Sequence, residues 1–243
     1  MPEEQYKSKK FIEKYKIHST TRIKVFLQAF KEIVGDYDGK NVLDVGCGDG
    51  SFTAQIAKNG GRVEGIDVAP KMIEECTKNY SGINNLNFSE EKAQNIKNLK
   101  KEFFDIALFS MILIHIKTEK DLKKIFRGAN HVLKKDGVLV FSELNPASIT
   151  APKTEARWKT LPKNFLYLKG GEKFKSHVKP TPRKTITFND IHWPLEVYSK
   201  VLRKTGFCIT HIIEPKSERK VKSNKHEIPS YIIFGCKKFN YKK

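Results

Sequence analysis

The sequence predicts an α/β protein with a largely parallel sheet, and three observations support this fold class. The apolar run at residues 41–45 is typical of a strand that is covered on both faces, and a glycine-rich turn follows it. Apolar residues at helical spacing come next, and residues 62–67 then form a second strand pattern. Strand and helix patterns continue to alternate as far as residue 146. Such alternation predicts an open sheet with helices packed against its faces.

The first strand and its turn read Asn-Val-Leu-Asp-Val-Gly-Cys-Gly-Asp-Gly, from Asn41 to Gly50. Asp44 is a carboxylate inside an apolar run, where a charge is costly to bury without hydrogen-bond partners. It therefore either caps the next loop or contacts a ligand. Gly46 and Gly48 have no side chains, so the backbone can bend sharply and a ligand can approach its N–H groups. The turn is the first candidate for a ligand-binding site.

The second strand ends in Asp67, which lies 23 residues after Asp44. In Rossmann-like sheets, an acidic residue at this place accepts hydrogen bonds from ribose hydroxyls. The glycine order is D-x-G-x-G-x-G, whereas a dinucleotide-binding turn has G-x-G-x-x-G, and Ser51 stands here in place of the third glycine. This order disfavours an NAD-binding oxidoreductase, which stays open as an alternative.

Together, the two strand ends resemble motif I and the following acidic residue of class I S-adenosylmethionine-dependent methyltransferases. Residues 104–146 resemble the fourth and fifth motifs of the same family, so the resemblance covers about residues 40–146. It implies a three-layer α/β sandwich with a seven-stranded, mostly parallel sheet whose last strand is antiparallel. It also implies a methyltransferase that uses S-adenosylmethionine as its cofactor.

The resemblance implies roles for individual residues of the cofactor site. The backbone of the glycine turn packs against the methionine part of the cofactor, Asp44 binds its amino group, and Asp67 holds its ribose hydroxyls. Tyr15 is a candidate for the cofactor carboxylate. Lys92 stands where the family often has an aspartate near the adenine. The expected cofactor-binding residues are Tyr15, Asp44, Gly46, Cys47, Gly48, Asp67, Val68, Met72, Ala93, Gln94 and Ser110.

Four segments are expected along the chain. Residues 1–38 form helices that cover the cofactor site, and residues 39–146 form the Rossmann-like core that binds S-adenosylmethionine. Residues 147–190 form an inserted region that shapes the acceptor pocket as a lid, as such insertions do in the resembled family. Residues 191–243 complete the sheet with a helix and the final strands.

The inserted region is rich in proline, lysine and aromatic residues. Residues 165–168 and 185–188 have the composition of added strands, and residues 170–171 form a Gly-Gly turn signal. An insertion of this length inside a compact domain is usually functional or disordered. We therefore expect acceptor recognition to lie here.

Two histidines are candidates for a catalytic base. His115 follows the fourth predicted strand, whose carboxyl end belongs to the ligand-binding edge of an open sheet, and His192 precedes the last helix. The sulfonium of the cofactor makes its methyl group electrophilic, so alignment of the acceptor supplies most of the catalysis without a nucleophilic triad or a metal. A base helps only when the acceptor must lose a proton.

The charge distribution leaves the acceptor open. The 243 residues carry a formal net charge of +19, and residues 147–243 hold 22 basic and 7 acidic residues. This excess is either a solvated lysine-rich surface or a surface that attracts an anionic small molecule or RNA. A small acceptor is favoured because no RNA-binding module is evident. A tRNA methyltransferase and a non-catalytic ligand-binding protein stay as alternatives.

Composition also predicts a location. The apolar stretch at residues 106–116 is shorter than the roughly 20 residues that a membrane helix needs. The first residues lack the apolar segment of a secretory signal. The four cysteines show no C-x-x-C pairing, so neither a disulfide scaffold nor a zinc site is expected. We expect a cytoplasmic protein with no membrane partner, and no pattern indicates an oligomeric state.

Overall fold

The computed structural model describes residues 23–149, 157–181, 184–215 and 229–239. Within these ranges, the main sheet contains β1 (Asn41–Val45), β2 (Arg62–Asp67), β3 (Leu86–Glu90), β4 (Phe104–Ser110), β5 (Leu133–Leu144), β9 (Phe207–Ile213) and β10 (Tyr231–Lys238). A small sheet contains β6 (Arg157–Thr160), β7 (Glu172–Thr181) and β8 (Lys184–His192). The helices are α1 (23–34), α2 (Ser51–Lys58), α3 (Pro70–Tyr80), α4 (Glu119–Val132) and α5 (Leu195–Lys204). None of the helices in these ranges has the length and hydropathy of a membrane span.

The main sheet has the strand order β3-β2-β1-β4-β5-β10-β9. Neighbouring strands from β3 to β5 are parallel, and β10 runs antiparallel to both β5 and β9. The predicted seven-stranded, mostly parallel sheet with an antiparallel last strand is therefore confirmed. Because β1, β2, β4 and β5 are parallel, their carboxyl ends meet at one edge, where open α/β sheets bind ligands.

Helices cover both faces of the main sheet, which gives the predicted three layers. On one face, Phe126 of α4 packs edge-on against Phe141 of β5, which stacks on Phe234 of β10 with ring centroids 4.6 Å apart. On the other face, Phe30 of α1 meets Phe52 of α2 edge to face at 5.2 Å. Close packing of this kind leaves little room for the strands to shift, so the ends of the strands have defined positions.

Helix α4 begins after Thr118, whose hydroxyl oxygen accepts a hydrogen bond from the backbone N–H of Asp121 at 3.1 Å. We expect Thr118→Ala to lower the free energy of unfolding by about 1 kcal/mol, because this N-cap hydrogen bond is lost. Denaturant unfolding measures the change. Lys124→Ala, at an exposed position of the same helix, is the matched control. Equal unfolding midpoints for the two variants would contradict the capping role.

The connection from α4 to β5 differs from the sequence pattern. The pattern predicts a turn at residues 134–137 before the strand, but β5 already begins at Leu133, which pairs with Phe104. The pairing then shifts, so that Val138 lies opposite Ile106. The turn residues thus form an irregularity inside a longer strand, because pairing with β4 extends to both sides of them.

The small sheet confirms one predicted strand and corrects another. Residues 185–188 lie inside β8, as expected, and the glycine turn at residues 170–171 directly precedes β7. The strand predicted at residues 165–168 is wrong, since these residues lie in the loop between β6 and β7. Leu166 and Leu168 are 62% and 78% exposed, so the loop offers no apolar face that a strand would bury.

The small sheet lies against the loop that follows β4. Trp193, directly after β8, donates a hydrogen bond from Nε1 to the carbonyl oxygen of Ile116 at 2.9 Å. Asp190 of β8 lies beside His115 of the same loop. These contacts bring the small sheet to the carboxyl edge of the main sheet.

Candidate functional site

The turn between β1 and α2 is held by backbone hydrogen bonds and by two close approaches. The N–H groups of Gly46 and Cys47 both donate to the carbonyl oxygen of Ile66, at 2.7 and 3.0 Å. Gly46 has a φ of +73°, and a Cβ there would lie 2.1 Å from Cγ2 of Ile112. Gly50 has a φ of +70°, and a Cβ there would lie 2.8 Å from a sulfur atom of α3. Glycine is required at both places, so bare backbone lies at the sheet edge.

Asp67, at the end of β2, is bonded to this turn. Its Oδ2 accepts a hydrogen bond from the N–H of Gly48 at 3.0 Å, and its Oδ1 accepts one from the N–H of Ala69 at 2.9 Å. Burial raises the pKa of Asp67, and the backbone hydrogen bonds oppose this shift. A carboxylate has about four lone-pair positions, so further positions remain for hydroxyl donors. The structure thus brings the predicted residues Gly48 and Asp67 together.

Asp44 lies behind the turn and is only 1% exposed. Its Oδ2 accepts a hydrogen bond from the hydroxyl of Thr53 at 2.6 Å, whereas its Oδ1 has no hydrogen-bond partner among the residues that the structure describes. Burial, with smaller effects from the charges of Asp67 and Asp49, raises the pKa of Asp44 to about 7, and the Thr53 hydrogen bond opposes this. A buried acceptor without a donor is costly, so this oxygen suits a donor group of a ligand.

We expect the stability of the ligand-free protein to fall as the pH rises from about 4 to about 8. In the folded chain Asp44 holds its proton up to about pH 7, whereas an aspartate in an unfolded chain has an ordinary pKa of 3.8. The folded state therefore binds more protons between these values, and rising pH favours unfolding. One pKa unit corresponds to about 1.4 kcal/mol, so the contribution of Asp44 is a few kcal/mol.

Chemical denaturation across this pH range measures the effect. Asp44→Asn is expected to flatten the dependence, because the amide does not titrate. Asp136→Asn, at an exposed position outside the site, is the control and is expected to leave the slope unchanged. The same slope for Asp44→Asn and the wild type would contradict the assignment.

Two further predicted residues, Cys47 and Met72, are buried at the turn, with 7% and 1% of their surfaces exposed. The thiol of Cys76 donates to the carbonyl oxygen of Gly48 at 3.1 Å, which joins α3 to the turn. The hydrogen bond with Cys76 and burial raise the pKa of Cys47 well above the usual thiol value. Cys47 therefore stays a neutral thiol that packs against its neighbours. Val68, which follows β2, is partly exposed.

The other predicted residues lie on neighbouring elements. Oγ of Ser110, at the end of β4, lies 3.4 Å from Oγ of Ser142 on β5. Ala93 and Gln94 begin a short 3-10 helix after β3 and are both partly exposed. Tyr15 lies outside the described residues, so its assignment stays a prediction.

Glu143, near the end of β5, is a site residue that is not among the residues predicted from the sequence. Its two carboxylate oxygens accept hydrogen bonds from the N–H groups of Leu113 and Ile114, at 2.8 and 3.1 Å. Burial raises the pKa of Glu143 well above its usual value, the charge of Asp190 adds to this, and the two backbone hydrogen bonds oppose it. Glu143 thus holds in place the loop that carries His115.

Asp190 of β8 is also identified only by the structure. It is 1% exposed, and its Oδ2 accepts a hydrogen bond from the hydroxyl of Ser176 on β7. Its Oδ1 lies 4.0 Å from Nδ1 of His115, whose side chain is 19% exposed. Burial raises the pKa of Asp190 to about 7, while the Ser176 hydrogen bond and the charge of Lys159 oppose the shift. The predicted residue His115 therefore lies beside a carboxylate of the small sheet.

His192, the second predicted base, lies at the end of β8 and is 1% exposed. Its Nε2 lies 2.6 Å from the carbonyl oxygen of Tyr167, and its ring lies near the rings of Phe165 and Tyr167, with centroid distances of 5.2 and 5.0 Å. Burial lowers the pKa of His192. These contacts join the loop between β6 and β7 to β8, and a catalytic role for His192 stays a prediction.

The fold and its edge define a class of protein. A parallel sheet with a turn of bare backbone after β1 and a carboxylate at the end of β2 is the nucleoside-binding arrangement of Rossmann-like proteins. The family model described as "Methyltransferase domain" matches residues 36–230. The chain belongs to this family of methyltransferase domains, and the resemblance found in its motifs is confirmed.

Individual proteins that are similar to this chain include methyltransferases. Ubiquinone biosynthesis O-methyltransferase of Coxiella burnetii is 34% identical over 109 residues, which are 44% of this chain and 44% of that protein. The match thus spans less than half the length of this curated relative. The structure of an S-adenosylmethionine-dependent methyltransferase from Clostridium acetobutylicum has a TM-score of 0.64 at 17% identity, over 91% of this chain and 92% of that one. The 1,6-didemethyltoxoflavin-N1-methyltransferase of Burkholderia thailandensis has a TM-score of 0.57 at 16% identity, over 88% and 76%. At these identities, the two structures support the fold.

The cofactor of this family is S-adenosylmethionine, and the residues at the edge fit it. Oδ1 of Asp44 is a buried acceptor that lacks a donor within the described part of the chain. The carboxylate of Asp67 meets the turn beside it, and Gly46 leaves no room for a side chain between the turn and Ile112. An amino group, ribose hydroxyls and a flat apolar surface are the features that such an edge can receive.

Proposed function

We propose that the protein transfers a methyl group from S-adenosylmethionine to a small acceptor molecule. The observation that carries this proposal is the hydrogen bond from the N–H of Gly48 to Oδ2 of Asp67, 3.0 Å long, which joins the turn of bare backbone to the carboxylate. Both features of a nucleoside site thus meet at one point of the edge. Membership in the methyltransferase-domain family supports the choice of chemistry.

Each part of the cofactor has a proposed partner. The backbone of the turn holds the methionine part, Oδ1 of Asp44 accepts a hydrogen bond from the amino group, and the carboxylate of Asp67 accepts hydrogen bonds from the ribose hydroxyls. Ser110 lies toward the methionine end, and Tyr15 is proposed for the carboxylate. The adenine is proposed to lie against Val68, Met72, Ala93 and Gln94.

The acceptor is proposed to bind between the carboxyl edge of the main sheet and residues 147–190. Two observations support this location, namely the hydrogen bond from Trp193 to Ile116 and the approach of Asp190 to His115. The ammonium of Lys159 on β6 donates to the backbone oxygen and the hydroxyl of Ser148, and its charge acts on Asp190. A positive charge at this place favours an acceptor that carries an anionic group.

The residues of the chain act mainly by placement. When bound, S-adenosylmethionine supplies a methyl group that its sulfonium has already made electrophilic. The loop held by Glu143 and the small sheet then have to orient an acceptor atom in line with that group. Orientation of two reactants lowers the activation free energy of such a reaction by as much as roughly 7–11 kcal/mol. The fixed geometry of the loop is therefore the main contribution of the protein to catalysis. His115 is the candidate base when the acceptor carries a proton.

A transfer experiment with a deuterium-labelled methyl donor tests the function. The purified protein is incubated with the labelled donor and a metabolite extract, and in a parallel reaction with bulk tRNA. Mass spectrometry then searches for products that carry the labelled methyl group. We expect labelled small molecules, with the Asp67→Ala variant as a control that gives much less product.

The parallel reaction separates the alternatives. Label in tRNA with none in the extract would support an RNA methyltransferase, for which the basic residues at 147–243 are the motivating observation. Label in neither reaction, together with tight binding of S-adenosylhomocysteine, would point to a non-catalytic binding protein and contradict the proposal.

A further inference from the structure

One buried carboxylate oxygen next to the proposed acceptor region has no hydrogen-bond donor among the described residues. Oδ1 of Asp190 accepts no hydrogen bond from the residues that the structure describes, although Asp190 is only 1% exposed. Nδ1 of His115 lies 4.0 Å from this oxygen, and the imidazole is charged only when it is protonated. This distance is about 1 Å longer than a hydrogen bond, and catalytic hydrogen bonds are often long before a substrate is bound.

We propose that His115 and Asp190 form a proton-accepting pair in which Asp190 is a positioning residue for His115, and that the acceptor is therefore a hydroxyl compound. This inference rests on the proposed methyl transfer. A hydroxyl oxygen must lose its proton as it is methylated, whereas a neutral amine attacks with its lone pair and needs no base for that step. A histidine that is paired with a carboxylate next to the acceptor region is needed only when the acceptor atom must lose a proton, as a hydroxyl oxygen must.

The placement of Asp190 suits this role. The hydroxyl of Ser176 on β7 donates to Oδ2 and so holds one side of the carboxylate, which leaves Oδ1 turned to His115. On the other side of the loop, Glu143 of β5 accepts hydrogen bonds from the N–H groups of Leu113 and Ile114, so the segment that ends in His115 is held as well. Both partners of the pair are therefore restrained from different sheets.

Two charged groups near the pair act on Asp190. The ammonium of Lys159 on β6 favours the ionised form of Asp190. The carboxyl group of Glu143 on β5 interacts with Asp190 as a like charge, and its own pKa is raised well above the usual value. The raised pKa of Glu143 favours its neutral form, which weakens this repulsion, and the ammonium of Lys159 favours the carboxylate form of Asp190 beside His115.

The chemical step conserves protons and electron pairs. Asp190 accepts a hydrogen bond from Nδ1–H of His115, and in that tautomer Nε2 carries the lone pair. The acceptor oxygen forms a bond to the methyl carbon and releases its proton to Nε2, while the electron pair of the broken carbon–sulfur bond stays on sulfur. Asp190 stabilises the resulting imidazolium, which returns its proton to solvent after the methyl ether leaves. No oxidant, reductant or further reactant is needed.

Nuclear magnetic resonance of the full chain tests the pair without any acceptor. The protein is labelled with nitrogen-15 in its seven histidines, and the ring nitrogens are followed from about pH 5 to about pH 9. The His115→Gln variant assigns the signals of His115. We expect neutral His115 to carry its proton on Nδ1, and we expect Asp190→Asn to lower the pKa of His115 by about one unit or more, since an opposite charge within roughly 4–6 Å favours the charged form.

Two further variants serve as comparisons for this titration. His177→Gln on β7 is the matched histidine control, and it is expected to leave the signals of His115 unchanged, because His177 bonds to Thr160 and Thr187 instead. Ser176→Ala keeps the carboxyl group of Asp190 but removes the hydrogen bond that restrains it and favours its ionised form, so it is expected to weaken the Nδ1–H preference while the protein stays folded, as judged by thermal unfolding. A pKa of His115 that differs by less than about half a unit between the wild type and Asp190→Asn would overturn the pair.

Transfer kinetics add a readout that a purely structural residue would not change. With the acceptor found by the labelling experiment, Asp190→Asn is expected to lower kcat about 10- to 100-fold and to move the rising limb of its pH profile to lower pH, with the KM for the donor unchanged. Methylation of nitrogen or carbon with no label on oxygen would overturn the hydroxyl assignment. Failure to bind S-adenosylhomocysteine would instead count against the proposed function, and the titration of His115 is independent of it.

Discussion

Gly46→Ala is expected to weaken the binding of S-adenosylhomocysteine by at least about 30-fold, which is a loss of roughly 2 kcal/mol. The φ of Gly46 is +73°, and this left-handed conformation costs a residue with a Cβ roughly 1–2 kcal/mol. The added Cβ would also lie 2.1 Å from Cγ2 and 3.2 Å from Cβ of Ile112. Rotation of one methyl group cannot relieve both contacts, so overpacking adds typically 1–3 kcal/mol.

Any movement that removes this clash also changes the geometry of the site. Either the turn moves away from Ile112, which breaks the hydrogen bonds from Gly46 and Cys47 to Ile66, or Ile112 moves and shifts the loop that carries His115. Isothermal titration calorimetry with S-adenosylhomocysteine measures the affinity.

Gly82→Ala is the matched control for this substitution. It adds the same methyl group at a turn after α3, where no atom beyond the adjacent residues lies within 4 Å of the new Cβ. The control is expected to keep the wild-type affinity within about twofold, which corresponds to roughly 0.4 kcal/mol. Wild-type affinity in Gly46→Ala itself would show that the turn is not part of the cofactor site.

Asp67→Ala is expected to weaken the same binding by roughly 1–3 kcal/mol, because the ribose hydroxyls lose charge-assisted hydrogen bonds. The substitution also removes the acceptor for the N–H groups of Gly48 and Ala69, so the turn itself loses support. Asp67→Asn keeps one carbonyl oxygen as acceptor and is expected to lose less affinity than Asp67→Ala.

Glu64→Gln provides the control on the same strand. Glu64 lies on β2 away from its carboxyl end and is partly exposed, so the change removes a negative charge from the strand without touching the turn. Calorimetry is expected to give the wild-type affinity for Glu64→Gln. A dissociation constant for Asp67→Ala that equals that of Glu64→Gln would contradict the ribose assignment.

The cofactor edge could be predicted from the sequence because its determinants are local. The glycines of the turn, Asp44 and Asp67 stand at the ends of two consecutive strands, and the parallel pairing of β1 with β2 is enough to bring those ends together. The register places Asp44 opposite Gly65 and Val45 opposite Ile66, so the turn necessarily starts beside the end of β2. No distant contact has to be known for this part of the site.

The acceptor side could not be predicted in the same way, since its residues are distant in sequence. In the sequence, Glu143 looks like an ordinary strand residue. Its role depends on hydrogen bonds from Leu113 and Ile114, which lie about 30 positions earlier. Asp190 lies on β8 and His115 lies in the loop after β4, so their approach depends on how the small sheet packs against that loop. An acidic residue in an otherwise apolar strand end was the available signal at Glu143, as it was at Asp44.

The small sheet shows both a missed signal and a misleading one. In β7, Phe174, Ser176 and Val178 are the buried residues, and the polar residues Lys175 and His177 separate them, so a period of two was present in the sequence. Residues 165–168 contain more apolar side chains, yet they lie in a loop after Pro162. Alternation was therefore a better guide to strands here than apolar content, because a sheet with one covered face needs only every second side chain to be apolar.

Calorimetric titration of the full chain with S-adenosylhomocysteine and, separately, with NADH tests the central claim most directly. We expect saturable one-site binding of S-adenosylhomocysteine in the micromolar range or tighter and no heat of binding with NADH, since the glycine order and the buried Oδ1 of Asp44 suit an amino-acid-bearing nucleoside. Saturation by NADH without any binding of S-adenosylhomocysteine would contradict the assignment of the turn and Asp67 to the methyl donor.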